Sequence, residues 1–370
     1  MIINQINYRK TFTDSTVTSK DILYNKIGYG ADGKVIGDAP FDIDSIGDET
    51  NQYYKFLKAP LKLTTKNGYS GLLVEEINDP NNWTLTTLPT SANWWSVCYG
   101  NSKYVTVGYG SNTAAYSTNG ITWTQTTLPA NVNWQSVCYG NGKYVALANS
   151  TNIAASSEDG INWTQTTLPA SVYWYSVCYD DGKFIAVADH TNKAAYSTDG
   201  INWTQMTMPT SANWRSVCYG NSKYVTVGFN SNSNKAAYST DGITWTQTTL
   251  PANVNWQSVC YGNGKYVALA NSTNIAAYSE DGITWTQMTM PTSAGWFSVC
   301  YGDGKYVAVN YNSNKAAYST DGITWTQTTL PASANWYSVC YGDGKFVTIA
   351  NDSNIAAYAH TKKYSIQMLN

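Results

Sequence analysis

Short β-prone runs, separated by polar turn residues, make up the chain from residue 94 onward. In the stretch that begins at Trp296 the runs read WFSVCYG, KYVAVNY, KAAYS and ITWTQTTLP. Gly302-Asp303-Gly304 and Thr320-Asp321-Gly322 supply hairpin-turn chemistry, and Pro331 ends the last run because proline donates no ladder hydrogen bond. β-branched and aromatic residues dominate these runs, and no segment has a helical period. The pattern therefore predicts four antiparallel strands per stretch.

The same stretch recurs along the chain, each time opening on a W-x-S-V-C-Y run. The opening tryptophans lie 40 or 42 residues apart and are Trp94, Trp134, Trp174, Trp214, Trp256, Trp296 and Trp336. A period of this length is typical of propeller blades, whose four-stranded sheets bury their faces against one another around an axis. The sequence predicts an all-β fold, a seven-bladed β-propeller of four-stranded antiparallel blades. We expect the opening tryptophans to pack between blades.

Two segments compete to close the ring. Residues 82–89, NWTLTTLP, match the fourth strand of a repeat and precede the first complete copy, so they can pair with the last unit, residues 336–359. Residues 364–369, YSIQML, align less well with the same strand. We favour closure by residues 82–88, because that copy keeps the tryptophan. The predicted domains are a small N-terminal attachment segment, residues 1–75, and the propeller, residues 76–370.

Composition and charge exclude several classes of function. Aromatic residues reach 14% against 12% charged residues, as expected for many half-buried β-surfaces. With a net charge of −2, the chain has no basic excess for nucleic acid or for an anionic membrane. The N-terminus has no signal-peptide pattern, and no apolar run is long enough to span a bilayer. We expect synthesis in a host cytoplasm.

The cysteines hold one equivalent position in each repeat: Cys98, Cys138, Cys178, Cys218, Cys260, Cys300 and Cys340. Ring symmetry would space them beyond the roughly 7 Å Cα separation that a disulfide allows. We interpret them as small packed apolar residues. Only His190 and His360 could join them in a metal site, so no metal and no cofactor is expected.

A second motif, Ser-x-Asp-Gly-x-x-Trp, recurs near the end of most repeats. It occurs at Ser197, Asp199, Gly200 and Trp203 and starts again at Ser157, Ser239, Ser279 and Ser319; Asn119 replaces the aspartate in one copy, and the last repeat has Ala359-His360-Thr361 instead. The motif resembles the Asp-box, or BNR repeat, of sialidases and related propellers, one residue shorter than usual. The resemblance implies a structural role, in which the aspartate ties down a hairpin turn.

The resemblance also raises the question of glycosidase activity. Sialidases grip their substrate with three arginines, whereas this chain has only Arg9 and Arg215. Glycosidases need two carboxylates flanking the scissile bond, and most repeat-region aspartates are turn residues. Asp180, Asp189 and Asp352 are the dissimilar ones. The expectation from this inventory is that the chain has no catalytic residues and is not an enzyme.

The repeats differ mainly on one predicted face, formed by the joints between strands two and three and by the joints between repeats. We call it the variable face. Aromatic planes and amides suit sugars, which stack on the former and hydrogen-bond to the latter, although loop drift would also vary these positions. The candidate ligand-binding residues are Trp95, Gln135, Tyr175, Arg215, Gln257, Phe297, Tyr337, Tyr173, Tyr109, His190, Phe229 and Tyr311.

The N-terminal segment carries a third resemblance. Residues 21–37, DILYNKIGYGADGKVIG, are similar to a D-I-L-x-G-K-x-A-Y-x-x-x-G-K-x-x-x-G segment common in tail proteins of phages that infect Gram-positive bacteria, with Asn25, Gly28 and Asp38 as departures. The resemblance implies that residues 1–75 join other tail or virion proteins. It leads to the expectation of a virion-tail receptor-binding protein whose propeller binds a host cell-surface polysaccharide. A glycan depolymerase or glycosidase, a purely structural tail component and a homo-oligomeric state stay open as alternatives.

Overall fold

The computed structural model describes residues 71–77, 83–230, 233–361 and 363–369, with backbone strands alone at 71–77 and 363–369. The chain divides into two compact units, one of residues Pro80–His360 and one of Met1–Asp79 with Thr361–Asn370. Residues 1–70, most of the predicted attachment segment, lie outside the described residues. Every regular element of the described ranges is a β-strand, and none of them contains an apolar helix of membrane-spanning length.

The strands follow one another in the order of the sequence runs. The first half contains β1 (Gly71–Ile77), β2 (Thr84–Ala92), β3 (Trp94–Gly100), β4 (Lys103–Gly108), β5 (Ser111–Ser117), β6 (Thr124–Gly140), β7 (Lys143–Asn149), β8 (Thr151–Ser157), β9 (Thr164–Asp180), β10 (Lys183–Asp189), β11 (Thr191–Ser197), β12 (Thr204–Ala212) and β13 (Trp214–Gly220). The second half contains β14 (Lys223–Gly228), β15 (Lys235–Ser239), β16 (Thr246–Thr249), β17 (Trp256–Gly262), β18 (Lys265–Ala270), β19 (Thr273–Ser279), β20 (Thr286–Gly302), β21 (Lys305–Tyr311), β22 (Ser313–Ser319), β23 (Thr326–Gly342), β24 (Lys345–Asn351), β25 (Ser353–His360) and β26 (Lys363–Leu369).

Neighbouring strands pair antiparallel in each repeat, as predicted. In the first repeat β3 pairs with β4, β4 with β5, and β5 with the beginning of β6. The end of β6 then pairs with β7 and so begins the second repeat. β9, β20 and β23 likewise run from the last strand of one repeat into the first strand of the next. These long strands join repeats into sheets of ten, four and ten strands.

The hairpin between the first two strands of a repeat follows from its turn residues. Asn141 and Gly142 both have positive φ, 45° and 75°. This is the backbone of a type I′ turn, whose twist matches the flanking strands and which asparagine and glycine adopt at low cost. The turn therefore fixes the pairing of β6 with β7, from Gly140 opposite Lys143 onward.

A continuous series of side-chain hydrogen bonds links each repeat to the next. The valine N–H in the first strand of a repeat donates to the serine Oγ at the preceding repeat's first strand, 3.0–3.3 Å away. The series runs Val137 to Ser96, Val177 to Ser136, Val217 to Ser176, Val259 to Ser216, Val299 to Ser258 and Val339 to Ser298. It closes on itself, because Val97 N–H donates to Ser338 Oγ at 3.1 Å.

The last repeat obtains its fourth strand from the N-terminal side, which confirms the favoured closure. β2 pairs with β25, with Thr84 opposite Tyr358 and Thr87 opposite Ile355. The buried Trp83 packs into the hydrophobic cluster of the last repeat, beside Trp336. The competing segment pairs elsewhere, since β26 forms a separate two-stranded sheet with β1.

The hydrophobic cores lie between neighbouring repeats. One cluster joins Val105 and Val107 of the first repeat to Trp134 and Tyr144 of the second. All the opening tryptophans are fully buried, which confirms their predicted packing role. The indole N–H donates to the backbone carbonyl four residues earlier in six of the seven copies; for example, Trp134 Nε1 donates to the Ala130 carbonyl at 3.0 Å. Trp214 Nε1 is buried without such a partner.

The cysteines are free thiols that pack against these cores, as predicted. Cys98 contacts the cluster around Trp134, and Cys300 contacts the cluster around Trp336. Burial raises the pKa of the Cys98 thiol well above its ordinary value. Because the thiolate is the reactive form of cysteine, these side chains are chemically inert packing groups at neutral pH.

The Ser-x-Asp-Gly turns are held by the serine and the aspartate together. In the third repeat Ser197 Oγ donates to Asp199 Oδ1 at 2.9 Å and accepts from Gly200 N–H at 2.9 Å. Asp199 Oδ1 accepts in turn from the N–H groups of Ile201 and Asn202. Asn119 makes the corresponding bonds in the first repeat, where its Oδ1 accepts from Ile121 and Thr122 at 2.9 Å each.

These turns predict an acid-sensitive component of stability. Burial alone would raise the pKa of Asp241, but hydrogen bonds from Ile243, Thr244 and Ser239 lower it to about 2. Similar bonds lower the pKa of Asp159, Asp199, Asp281 and Asp321. A lowered folded pKa stabilises the fold above the unfolded value of about 3.9, and this stabilisation is lost as pH falls through the folded value.

Replacing the five aspartates with asparagine is therefore expected to flatten the dependence of the urea unfolding midpoint on pH between about 4 and 2. Asn119 shows that asparagine keeps the two backbone bonds without a titrating group. The opposite variant, Asn119→Asp, is the matched control and should steepen the dependence. An unchanged profile in the asparagine variant would assign the acid sensitivity to other carboxylates.

Candidate functional site

The residue after each opening tryptophan is displaced from the sheet by a β-bulge. In the first repeat the register shifts between Trp94 and Ser96, so Trp95 has no partner in the β3–β4 ladder. The second repeat shifts at the same place around Gln135, and the third around Tyr175. A bulge re-aims the side chain of its extra residue. The most variable position of the repeat is thus released from the sheet in every copy.

Side chains from three consecutive repeats of the closed series meet at this position in an aromatic cluster. The Trp95 ring of the first repeat lies 4.5 Å from Tyr337 of the seventh repeat and 6.5 Å from Phe297 of the sixth. Phe297 and Tyr337 are 4.3 Å apart. Tyr109 stacks on Trp95 at 4.7 Å, and Tyr311 lies 5.5 Å from Tyr337. Bulge residues therefore converge at the centre of the ring, and second-strand ends flank them.

A polar cluster lies beside the aromatic one and is built around an ion pair. Arg215 Nη2 lies 2.8 Å from Asp189 Oδ2, and both side chains are largely buried. The guanidinium sits over the rings of Tyr175 and Phe229, 4.2 and 4.3 Å from their centroids. Gln257 Nε2 donates to the Tyr175 hydroxyl at 3.4 Å. These contacts fix a positive group against two aromatic planes, the geometry of a cation–π sandwich.

Burial controls the ionisation of the groups in both clusters. It raises the pKa of Asp189, and the neighbouring Arg215 and His190 oppose this rise. Burial, reinforced by the neighbouring Tyr311 and Tyr175, raises the pKa of Tyr337 to about 12. The phenol of Tyr337 is therefore a neutral hydrogen-bond donor at physiological pH.

The predicted ligand residues differ in how far they can reach a ligand. Gln135 and Gln257 are buried, and Asn149 Nδ2 donates to Gln135 Oε1 at 3.4 Å. Trp95, Tyr175, Arg215, Phe297, Tyr337, Tyr109 and Phe229 are half-buried within the two clusters. Tyr173 and Tyr311 are 52% and 39% exposed, and His190 lies 5.7 Å from Tyr173 with an exposed side chain. The exposed aromatic side chains, Tyr173 and Tyr311, lie at the edges of the clusters and not inside them.

The three dissimilar aspartates are separated by the fold. Asp180 ends β9, next to the hairpin that leads into β10, on the face opposite the variable face. Asp189 ends the second strand β10 and Asp352 follows the second strand β24; both lie on the variable face, where Asp189 is buried and Asp352 is exposed. No two of these carboxylates form a contact among the described residues, and no cluster of three potential metal ligands occurs in those ranges.

Sequence reasoning missed several residues of this face, namely Asp189 as the partner of Arg215 and the group Gly295, Asn310 and Lys315. All of them lie in or beside the joints that form the variable face. Asn310 stands where the other copies have glycine or alanine, and Gly295 stands where five copies have asparagine. Comparing each copy with the others at these positions is the signal that could have found them.

Solved structures share this architecture. Virginiamycin B lyase from Staphylococcus aureus matches 80% of this chain and 99% of its own, with a TM-score of 0.66 and 14% identity. YCF48 bound to D1 peptide matches 76% of this chain and 96% of its own, with a TM-score of 0.62 and 17% identity. The fold is a β-propeller. No protein family matches the sequence, and no curated protein matches it either.

The expectation that the chain is not an enzyme is corrected by this comparison. Virginiamycin B lyase is an enzyme, and a catalytically inactive histidine-to-alanine form of it has been solved with quinupristin, at 13% identity to this chain and a TM-score of 0.66. A missing arginine triad and a missing carboxylate pair therefore do not exclude catalysis by a protein of this fold. At these identities the similarity shows the fold alone, so no activity and no catalytic residue is transferred to this chain.

Proposed function

We propose that the chain is a receptor-binding protein of a phage tail or tail-like particle, whose β-propeller binds a host cell-surface glycan through the variable face. The carrying observation is the convergence of variable aromatic and polar side chains at the centre of that face. The resemblance of residues 21–37 to phage tail segments supports a virion-tail location, with residues 1–75 contacting other tail proteins.

We further propose that the propeller has seven blades. Each ten-stranded sheet contains two long strands that serve two repeats, so it supplies three four-stranded sets. The remaining four-stranded sheet supplies one more set. The seven Ser–Val hydrogen bonds link these sets in a closed series and support this number.

The chemistry of the face suits a polysaccharide. The exposed rings of Tyr173 and Tyr311 offer apolar planes on which the C–H faces of a sugar can stack. Asn230 in the fourth repeat and Asn312 in the sixth are exposed and provide amides that exchange hydrogen bonds with hydroxyl groups. A single shallow site of this kind binds weakly, and many copies on one particle raise the avidity by orders of magnitude.

The decisive experiment measures adsorption of the purified protein to host cell walls and its competition with whole particles. We expect saturable adsorption that purified wall polysaccharide inhibits. A variant with Tyr173→Ala and Tyr311→Ala should adsorb at least about tenfold less, whereas Asp199→Asn, on the opposite face, should adsorb normally. Absence of adsorption, or adsorption without competition, would contradict the proposal.

A glycan-cleaving activity is the second candidate function, favoured by one contact on the same face. His190 Nδ1 lies 3.5 Å from Asp189 Oδ1, and the imidazole is largely exposed beside Tyr173. A histidine beside a buried carboxylate can serve in proton transfer. Incubation of the protein with wall polysaccharide, followed by sizing of the chains, tests this activity. Shortened chains with the wild type and intact chains with His190→Ala would establish it.

A further inference from the structure

A surface pocket on the variable face lies beside the sixth repeat. It has a volume of about 340 Å³ and is lined by residues 293–295, by the loop 310–313, and by Ser272 and Lys315. This volume is at the lower end of the range of about 300–1,000 Å³ that small-molecule sites occupy. Ser272 belongs to the fifth repeat, so the pocket lies where two repeats meet.

The pocket coincides with two departures from the repeat pattern. Gly295 precedes the opening tryptophan, where five of the other six copies have asparagine and the third has Tyr173. Asn310 ends the buried part of β21, where the other copies have glycine or alanine. The two positions are 15 residues apart in sequence. They are adjacent across the β20–β21 ladder, where Gly295 pairs with Tyr311 and Trp296 with Asn310.

Gly295 keeps the pocket open. A Cβ atom at this position would lie 3.3 Å from the Tyr311 carbonyl oxygen and 3.7 Å from the Tyr311 ring. The backbone there has no positive φ, so glycine is not required by the chain conformation. In the fourth repeat the equivalent Asn213 reaches the loop of the preceding repeat, where its Oδ1 accepts from His190 N–H at 3.2 Å. An asparagine at position 295 would extend in the same way toward Ser272 and fill the pocket. The glycine thus serves the pocket and not the fold.

The side chains around the pocket are those of a sugar subsite. Tyr311 provides an exposed aromatic plane at one wall. Asn310 is buried below it, and its amide is oriented by Ser313 Oγ, which donates to Asn310 Oδ1 at 3.1 Å. Lys315 Nζ lies 3.4 Å from Thr292 Oγ1, and the lining includes no carboxylate. One apolar plane, amide and hydroxyl groups and one cation match a pyranose ring and its oxygen atoms.

We infer that this pocket binds one pyranose residue of the cell-surface polysaccharide, with the ring stacked on Tyr311 and its oxygen atoms directed to Asn310 and Lys315. The inference rests on the proposed glycan-binding function and assigns that function a specific subsite. The repeats then have different roles. The sixth repeat supplies the sugar subsite, and the aromatic cluster packs beside that subsite, where Tyr337 lies 5.5 Å from Tyr311.

The test compares the intact protein with its Gly295→Asn variant on an array of bacterial wall polysaccharides and by titration with the best-binding polysaccharide. We expect the variant to bind at least about tenfold more weakly. Its unfolding midpoint should stay near that of the wild type, because asparagine occupies this position in five other repeats. Gly295→Ala should give an intermediate loss.

Two further variants keep the test decisive. Asn310→Ala introduces the residue of four other repeats and should also weaken binding. Asn133→Gly makes the opposite change in the second repeat, away from the pocket, and should bind like the wild type. If the wild type binds a polysaccharide and Gly295→Asn binds it equally well, the subsite is wrong while the proposed function stands. If the wild type binds none, the proposed function fails and the subsite with it.

Discussion

Replacing Trp83 with alanine is expected to lower the free energy of unfolding of the propeller by about 3–5 kcal/mol, the usual cost of truncating a buried tryptophan. Trp83 is 7% exposed and packs with Trp336, Phe346 and Ala359 of the last repeat. It precedes β2, the strand that completes the sheet of β23, β24 and β25. Losing it weakens the only strand that the N-terminal side contributes to the last repeat.

Denaturant unfolding followed by tryptophan fluorescence measures this loss. All 15 tryptophans lie between Trp83 and Trp336, so the signal reports on the propeller unit alone. The control is a chain ending at Lys362, which lacks β26 and should unfold at the wild-type midpoint because β26 pairs with β1. A destabilised truncation beside an unaffected Trp83→Ala variant would mean that residues 363–369 close the ring in solution.

Replacing Arg215 with glutamine is expected to cost about 3 kcal/mol at pH 7, because it leaves the buried Asp189 carboxylate without its charged partner. Glutamine fits this position, since Gln135 and Gln257 occupy it in two other repeats. The loss therefore reports on the ion pair at 2.8 Å and on the rings of Tyr175 and Phe229, and not on a steric misfit.

The pH dependence identifies the cause. Burial already raises the pKa of Asp189, and removal of Arg215 takes away a charge that opposes the rise. A carboxyl group with a raised folded pKa destabilises the protein fully above that pKa, and this destabilisation declines as pH falls and is absent below the unfolded pKa of about 3.9. The cost of Arg215→Gln should therefore be smaller at pH 4 than at pH 7, as measured by urea unfolding at both values.

The double variant Asp189→Asn with Arg215→Gln is the matched control. It removes both charges and introduces amides of the kind that Asn149 and Gln135 pair at 3.4 Å in the second repeat. We expect it to recover most of the stability lost in the single variant and to show no difference between pH 4 and pH 7. Equal losses in the single and double variants would show that the ring sandwich, and not the charge pair, stabilises this cluster.

The variable face illustrates how far the repeat pattern reaches. Comparing copies identified Trp95, Tyr175, Arg215 and Tyr337 as candidates, because equivalent positions in one fold have equivalent environments. The repeat pattern alone predicts that each of these side chains contacts a ligand separately, at its own place around the ring. The bulges bring Trp95 within 4.5 Å of Tyr337. The identity of the bulged residue does not reveal a bulge, because a different side chain follows the tryptophan in different repeats. The aromatic and polar clusters therefore depend on the pairing of the strands, which the sequence pattern does not specify at this level of detail.

The inventory of catalytic groups failed for a related reason. The missing arginine triad excludes one known site geometry, whereas the similar fold of virginiamycin B lyase belongs to an enzyme that a histidine-to-alanine change inactivates. His190 and Asp189 are neighbours in the sequence and contact each other, but the His190 side chain is exposed and the Asp189 side chain is buried. Burial of this kind depends on packing against Arg215 of the next repeat, which spacing in the sequence does not encode.

The sequence by itself determined the β-propeller repeat, the turns and the closing strand. These features depend on local chemistry, namely the alternating β-prone runs and the Asn-Gly turns. The closing strand depends on a fourth-strand copy at residues 82–89, whose tryptophan completes the core of the last repeat. The tertiary structure alone decided which variable residues are buried, which of them meet between repeats, and where a pocket opens. Those outcomes depend on distances between side chains more than 40 residues apart, such as Trp95 and Tyr337, and on one missing side chain at Gly295.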